Sequence, residues 1–132
     1  MNNLFKYNIS TNKDIETINI DKYVNDAVNK SNVEEGICLV YTPHTTAGIT
    51  INENGDYDVR LDLEYAFDLL SPKRIEYRHF EGNTNAHLLS SIIGCSENLI
   101  IQKGKILLGT WQSIYFCEFD GPRNREIFIK IL

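Results

Sequence analysis

The chain lacks most of the features that would commit it to a specialised class. Its three cysteines, Cys38, Cys95 and Cys117, stand far apart and form no close pair. That excludes a disulfide framework and a zinc knuckle. Each lies in an apolar setting ("GICLV", "IIGCS", "YFCEF"), so buried free thiols in a reducing cytoplasm are expected. No apolar run approaches the ~20 residues of a membrane span. The opening "MNNLFKYNIS" has no basic segment followed by an apolar one, so a cytoplasmic location is expected. The net charge of −5 gives nucleic acid and membrane surfaces no general attraction, and neither is an expected partner. No repeat, linker or low-complexity segment interrupts the 132 residues, which suit one domain over 1–132.

What is present reads as alternating strands and helices. "FKYNIS" and "IETINI" alternate apolar and polar residues as half-buried strands do. Asp21 is placed to cap a helix whose stripe is Tyr23, Val24, Ala27 and Val28. "GICLVYT" and "AGITINE" read as strands joined across "PHTT". A helix starting at Asp56 or Asp58 carries Val59, Leu63, Ala66, Phe67 and Leu70 on one face and stops at Pro72. Asn83 or Thr84 opens another, closed by Gly94. The last third predicts "NLIIQ", a turn at Lys103-Gly104, a long strand from Ile106 to Phe119, a turn at "DGPR" and a strand "EIFIKIL". Strands at both ends with helices inserted between them indicate an α+β fold, mostly antiparallel.

Chemistry-bearing residues gather at the connections. "PHTT" has neither the glycine nor the asparagine a tight hairpin favours, so turn geometry does not account for it. His44, His79 and His87 all lie in or beside loops, and with Glu53, Asp62 or Glu81 they are candidates to hold zinc or another divalent ion. Their spacing matches no compact metal motif, and surface histidines would read the same way. Asn83 and Thr84 are helix caps or, beside Glu81-Gly82, a phosphate seat at a helix N-terminus. Gly109 inside a predicted strand suggests a bulge or a close approach. Trp111 fits a core or interface anchor, with Gln112 on the opposite face. Arg123 and Arg125, at alternate positions, face the same way in a strand and suit phosphate or carboxylate. Glu118 and Asp120 are their alternative, internal partners.

Together "HTTAGITINEN", "DVRLDL", "YRHFEGNTNAHL", "SIIG" and "GKILLGTWQSIYFCEFDGPRNR" resemble the YjbQ-like, or secondary thiamine-phosphate synthase, family. The likeness runs from about Gly36 to the C-terminus. It implies two packed antiparallel sheets in a sandwich with two or three inserted helices, a homotrimer, and polar motifs near subunit boundaries. Carried onto this chain, the site residues are His44, Thr45, Thr46, Glu53, Asn54, Asp62, His79, Glu81, Asn83, His87, Trp111, Gln112, Glu118, Asp120, Arg123 and Arg125. The chain departs from the family at Leu89, where a lysine is frequent; if that lysine holds an anion, the anion site here is weaker or built differently.

The implied activity is a weak thiamine-phosphate synthesis from a pyrimidine pyrophosphate and a thiazole phosphate. On this reading Glu53, Asp62, Glu81, Arg123 and Arg125 are catalytic. Thr45, Thr46, Asn54, Asn83, Trp111, Gln112 and Asp120 bind substrate, and His44, His79 and His87 hold a divalent metal, zinc or magnesium. The two arginines and the metal would neutralise departing pyrophosphate. Two rivals use the same groups: a metal-dependent hydrolase built on the three histidines, and a non-catalytic site for a phosphorylated metabolite.

Overall fold

The computed structural model describes residues 2–132. Its elements run β1 (Leu4–Ser10), β2 (Glu16–Asn19), α1 (Asp21–Ser31), β3 (Glu35–Tyr41), β4 (Ala47–Glu53), α2 (Tyr57–Leu70), α3 (Thr84–Ile93), β5 (Ser96–Gln102), β6 (Lys105–Ile106), β7 (Gln112–Glu118) and β8 (Asn124–Ile131). Two antiparallel sheets result, ordered β1-β8-β3-β5-β6 and β2-β7-β4. The α+β sandwich expected from the sequence is what forms.

Strand parity explains the layers. Successive strand residues point to opposite faces, and β7 is apolar at both parities. Ile114 and Phe116 face the five-stranded sheet and join Ile127, Ile129, Val40 and Val24 in the main core. Cys117, and Phe119 just beyond the strand, face the other way and pack with Phe67, Ala86 and Leu89 beneath α2 and α3. The molecule is therefore sheet on sheet, with two helices closing the outer side of the smaller sheet. Leu89 is fully buried in that second core.

Several local expectations are corrected. The long strand from Ile106 to Phe119 is two strands, β6 and β7, parted by residues 107–111. Gly109 lies in that gap, where its N–H donates to Gln112 Oε1 at 2.8 Å. Asp21 does not cap α1; its carboxylate accepts from Ser113 Oγ and the Ile114 N–H, tying the helix start to β7. Asp56 is the N-cap of α2, accepting from the Asp58 N–H. On that helix Phe67 is buried while Leu70 is 60% exposed, so the expected stripe is narrower than its apolar residues. Cys95 is exposed, unlike Cys38 and Cys117, whose thiols burial pushes up to about 12. The turn at Lys103-Gly104 forms as expected, with both residues at positive φ. No helix among the described residues is long and apolar enough to cross a membrane.

Candidate functional site

The residues proposed as one site fall at the two ends of a single ladder. In the β4–β7 pairing Ala47 opposes Glu118 and Glu53 opposes Gln112. Six residue steps at about 3.4 Å separate those ends by roughly 20 Å. His44, Thr45, Thr46, Glu118, Asp120, Arg123 and Arg125 lie at one end. Glu53, Asn54, Trp111 and Gln112 lie at the other, next to the start of α2.

The first end is anchored by a buried ion pair. Glu118 shares its parity with Phe116, and Arg125 shares its parity with Ile127, so both point between the sheets. Glu118 is 0% exposed and Arg125 4%. Arg125 Nε donates to Glu118 Oε1 at 2.8 Å, and its Nη2 donates to Glu118 Oε2 and to Thr46 Oγ1. Thr11 Oγ1 and the Asp120 N–H also donate to this carboxylate. Burial would push the Glu118 carboxyl up, but the bonds from Arg125, Thr11 and Asp120 outweigh it and hold the group below its ordinary range.

Arg123 lies one residue before β8 rather than within it. Its Nε donates to the Asp120 carbonyl and its Nη2 to Asp120 Oδ2, at 2.7 and 2.8 Å. Each arginine thus has a carboxylate of its own, as the internal alternative held. Each also keeps Nη1 without a hydrogen-bond partner among the described residues. Asp120 Oδ2 further accepts from Asn83 Nδ2 at 2.7 Å. This leaves Asn83 Oδ1 buried with no partner among the described residues. Turning the amide over would set its oxygen against the Asp120 carboxylate, so the orientation is fixed. Asn83 is the N-cap of α3 by position only, since its side chain makes no cap bond.

Around this pair Pro43, His44, Thr45, Thr46, Glu81, Asn83, His87, Arg123 and Arg125 line a polar cavity of about 290 Å³. A larger one of about 510 Å³ adjoins it, lined by Tyr41, Thr42, Pro43, His44, Thr45, His87, Ser90, Ser91, Gly94 and Cys95. Pro43, His44, Thr45 and His87 are common to both. His44 Nε2 accepts the Glu126 N–H at 2.9 Å. Burial and the positive Arg125 hold its pKa below the ordinary histidine value. The ring is then neutral near pH 7, with its proton on Nδ1 as a donor.

The histidines do not make the expected metal set within one chain. His79 and His87 stack edge to face with centroids 5.2 Å apart, and His79 Nε2 lies 3.9 Å from Glu81 Oε1. His44 has committed Nε2 to the backbone. Among the described residues no three His, Cys, Asp or Glu side chains gather as metal ligands would.

At the far end, Asn54 Nδ2 donates to the Gln112 carbonyl and to Ser113 Oγ, and Glu53 Oε2 accepts the Gly55 N–H. Trp111 lies over Gly55, where a Cβ would come within 2.6 Å of the indole. Asp62, on α2, is exposed and has no salt bridge among the described residues. Sequence reasoning missed Thr11, Tyr41 and Pro43. Thr11 bridges Glu118 and the Arg123 N–H from across the chain, at 2.7 and 2.8 Å. Only the "PHTT" run hinted at Pro43, and nothing local marked Thr11.

The chain is thus a two-sheet α+β sandwich with a polar pocket at the end of its smaller sheet. The UPF0047 YjbQ-like family model matches residues 5–132, and the chain belongs to that family. It is 53% identical over 129 residues to a UPF0047 protein of Methanocaldococcus jannaschii, covering 98% of this chain and 94% of the relative. It is 50% identical to the UPF0047 protein YugU of Bacillus subtilis, covering 94% and 95%. A crystal structure of a YjbQ/UPF0047 family protein from Clostridium acetobutylicum superposes with a TM-score of 0.94 at 49% identity, covering 97% of this chain and 99% of that one.

Proposed function

We propose that the chain is a weak or secondary transferase of the thiamine-phosphate synthase type, acting on phosphorylated small molecules in the cytoplasm as a homotrimer. The observation that carries this reading is the pair of adjoining cavities with His44 and His87 in their common wall. A ligand with a charged end and a flat ring suits such a pair: the end toward Arg123 and Arg125, the ring toward Tyr41 and Pro43.

In the reaction the thiazole nitrogen's lone pair forms a bond to the pyrimidine methylene. The methylene–oxygen bond breaks, and pyrophosphate leaves with the electron pair. Nothing has to be deprotonated for that attack, so the absence of a nucleophile–base pair is no obstacle. What the step needs is donors fixed where charge grows on the leaving oxygen. The free Nη1 groups of Arg123 and Arg125, the His44 Nδ1–H and the Thr45 hydroxyl are the groups available. Their own carboxylates hold both guanidiniums rigid, so little reorganisation accompanies the charge. The three-histidine hydrolase is not favoured, because the histidines do not converge within the chain.

The test is formation of thiamine phosphate from the two substrates, with Arg123→Ala and His87→Ala as variants. Each should lower turnover on the order of 100-fold while the unfolding midpoint is kept. Unchanged turnover in folded protein would remove the cavities from the reaction. Ligand-induced stabilisation without any turnover would leave a binding protein instead.

A further inference from the structure

A further cavity lies away from the polar pair and shares no residue with either. Its volume is about 440 Å³, within the roughly 300–1,000 Å³ of small-molecule sites. The break between β6 and β7 supplies one wall. With residues 107–111 out of the sheet, Ile106 and Leu108 line the cavity across from α1. Val28 of α1 and Ile114 of β7 are buried and form its apolar floor.

The α1 wall is polar. Asp21, Asn25 and Asn29 recur every fourth residue and form one row along the helix. That row spans about 12 Å at the helical rise, long enough for a ring system with its sugar. Asn25 and Asn29 are exposed, and their carboxamides make no hydrogen bond among the described residues. Asp21 accepts one bond on each oxygen, from Ser113 Oγ at 2.6 Å and from the Ile114 N–H at 2.8 Å. These bonds fix where the carboxylate points, yet about four acceptor sites on an ionised carboxyl leave it lone pairs to spare. Lys105 is the one cation in the lining, and the Glu34 carboxylate lies beside Gly104 at the same rim. One ammonium against two carboxylates gives an anionic ligand no net attraction.

We propose that this cavity binds an amino-substituted nitrogen heterocycle of the adenine or cytosine type, as the uncharged nucleoside. The flat ring lies on the Val28–Ile114 floor, against Ile106 and Leu108. Its exocyclic amine donates to Asp21, as the cytosine amine does to carboxylates. The ring nitrogen beside the amine accepts from Asn25 Nδ2, and Asn25 Oδ1 takes the second amine hydrogen, the pairing asparagine makes with adenine. Asn29 and Lys105 are left for the sugar hydroxyls. An oxo group in place of the amine would set an acceptor against the Asp21 carboxylate. That mismatch leaves polar groups unpaired, which is how a hydrogen-bonding site rejects a near-isostere. The site is separate from the cavities assigned to the synthase reaction and does not depend on that reading.

The test is a titration of the isotope-labelled full chain with cytidine, uridine, adenosine and inosine, followed by amide chemical shifts. Within each pair, cytidine with uridine and adenosine with inosine, the base carries an amine or an oxo group at the same position. Cytidine and adenosine are expected to shift the Gly104, Ile106 and Ile114 amides. Their Kd should lie roughly tenfold or more below that of uridine and inosine, the effect of one mismatched hydrogen bond. Asn25→Ala/Asn29→Ala, at exposed positions, should weaken both amino nucleosides by about tenfold or more with the unfolding midpoint kept. Leu108→Trp, which fills the cavity and removes no polar group, should abolish the shifts. Equal affinity for the amino and oxo nucleosides would overturn the proposal. So would shifts confined to residues outside the cavity, no shift at millimolar nucleoside, or binding unchanged in the asparagine variant. The amino–oxo comparison is made on wild type, so it decides the matter even where a variant fails to fold. No readout involves turnover, so failure of the synthase assay leaves the proposal standing.

Discussion

The two ends of the β4–β7 ladder solve opposite problems with similar residue types. At the Ala47–Glu118 end, polar side chains point inward and are held by one another: Glu118 accepts from Arg125, Thr11 and the Asp120 N–H. At the Glu53–Gln112 end, Asn54 and Glu53 fasten the backbone, while Trp111, Tyr57 and Asp62 are left to solvent. One end is held by a buried ion pair and encloses a cavity, with Asn83 Oδ1 and the arginine Nη1 groups left without a partner among the described residues. The other fastens its backbone but presents exposed apolar and acidic groups. Polar residues clustered in the same family motifs therefore need not share a task within one chain. Strand length decides which of them can meet.

The sharpest way to break this contrast is to remove half of the buried pair. Arg125→Met leaves Glu118 charged, fully enclosed and without its main partner. A loss of about 3–5 kcal/mol is expected for an uncompensated buried charge, read by denaturant unfolding. The double variant Arg125→Met/Glu118→Leu should recover most of that loss. A single variant as stable as wild type would mean that the pair is solvated and that the cavity end is no more closed than the other.

At the far end the largest effect should come from a residue with no side chain. Gly55→Val would press a side chain into the Trp111 indole, which a Cβ at this position would approach to 2.6 Å. Overpacking of this kind costs about 1–3 kcal/mol where neighbours cannot move. An exposed indole can swing away, so the lower part of that range is expected, with a change in Trp111 emission. Asp56→Ala, which removes the α2 cap bond, should cost ~1 kcal/mol by the same unfolding assay.

Much of this architecture was legible in the residues. "AGITINE" coincides with β4, and Asn83 and Gly94 bracket α3, because alternation and helix-end chemistry are local signals. The antiparallel α+β class followed from the same signals. The break within 106–119 was hidden because Leu107, Leu108 and Trp111 carry the apolar character of a strand through a segment that leaves the sheet. The width of the α2 stripe misled for a related reason: a second apolar row, Leu61, Tyr65 and Leu69, lies on the outer face and blurs the period. The division of the site was obscured differently. "HTTAGITINEN" looks like one motif, yet its middle is a seven-residue strand that holds His44 and Glu53 apart. Thr11 could not be found at all, since its partners lie more than a hundred residues away.

The smallest effect, and the one most particular to the cavity end, is a pH dependence of stability from His44. Its folded pKa lies below the ordinary value of 6.5, first through burial and then through Arg125. Between the folded and unfolded values the unfolded chain binds the extra proton. Stability from this group is therefore fully present above 6.5 and is lost as pH falls toward the folded value. Glu118, also depressed in the folded state, begins to contribute in the same direction only below its ordinary 4.5. Between pH 7 and 5 the two are separable. Unfolding free energy of wild type should fall over that interval, and His44→Asn, which cannot titrate, should flatten the slope. Equal slopes would show that the ring is as free to protonate as an exposed one, and that the Glu126 N–H does not fix it.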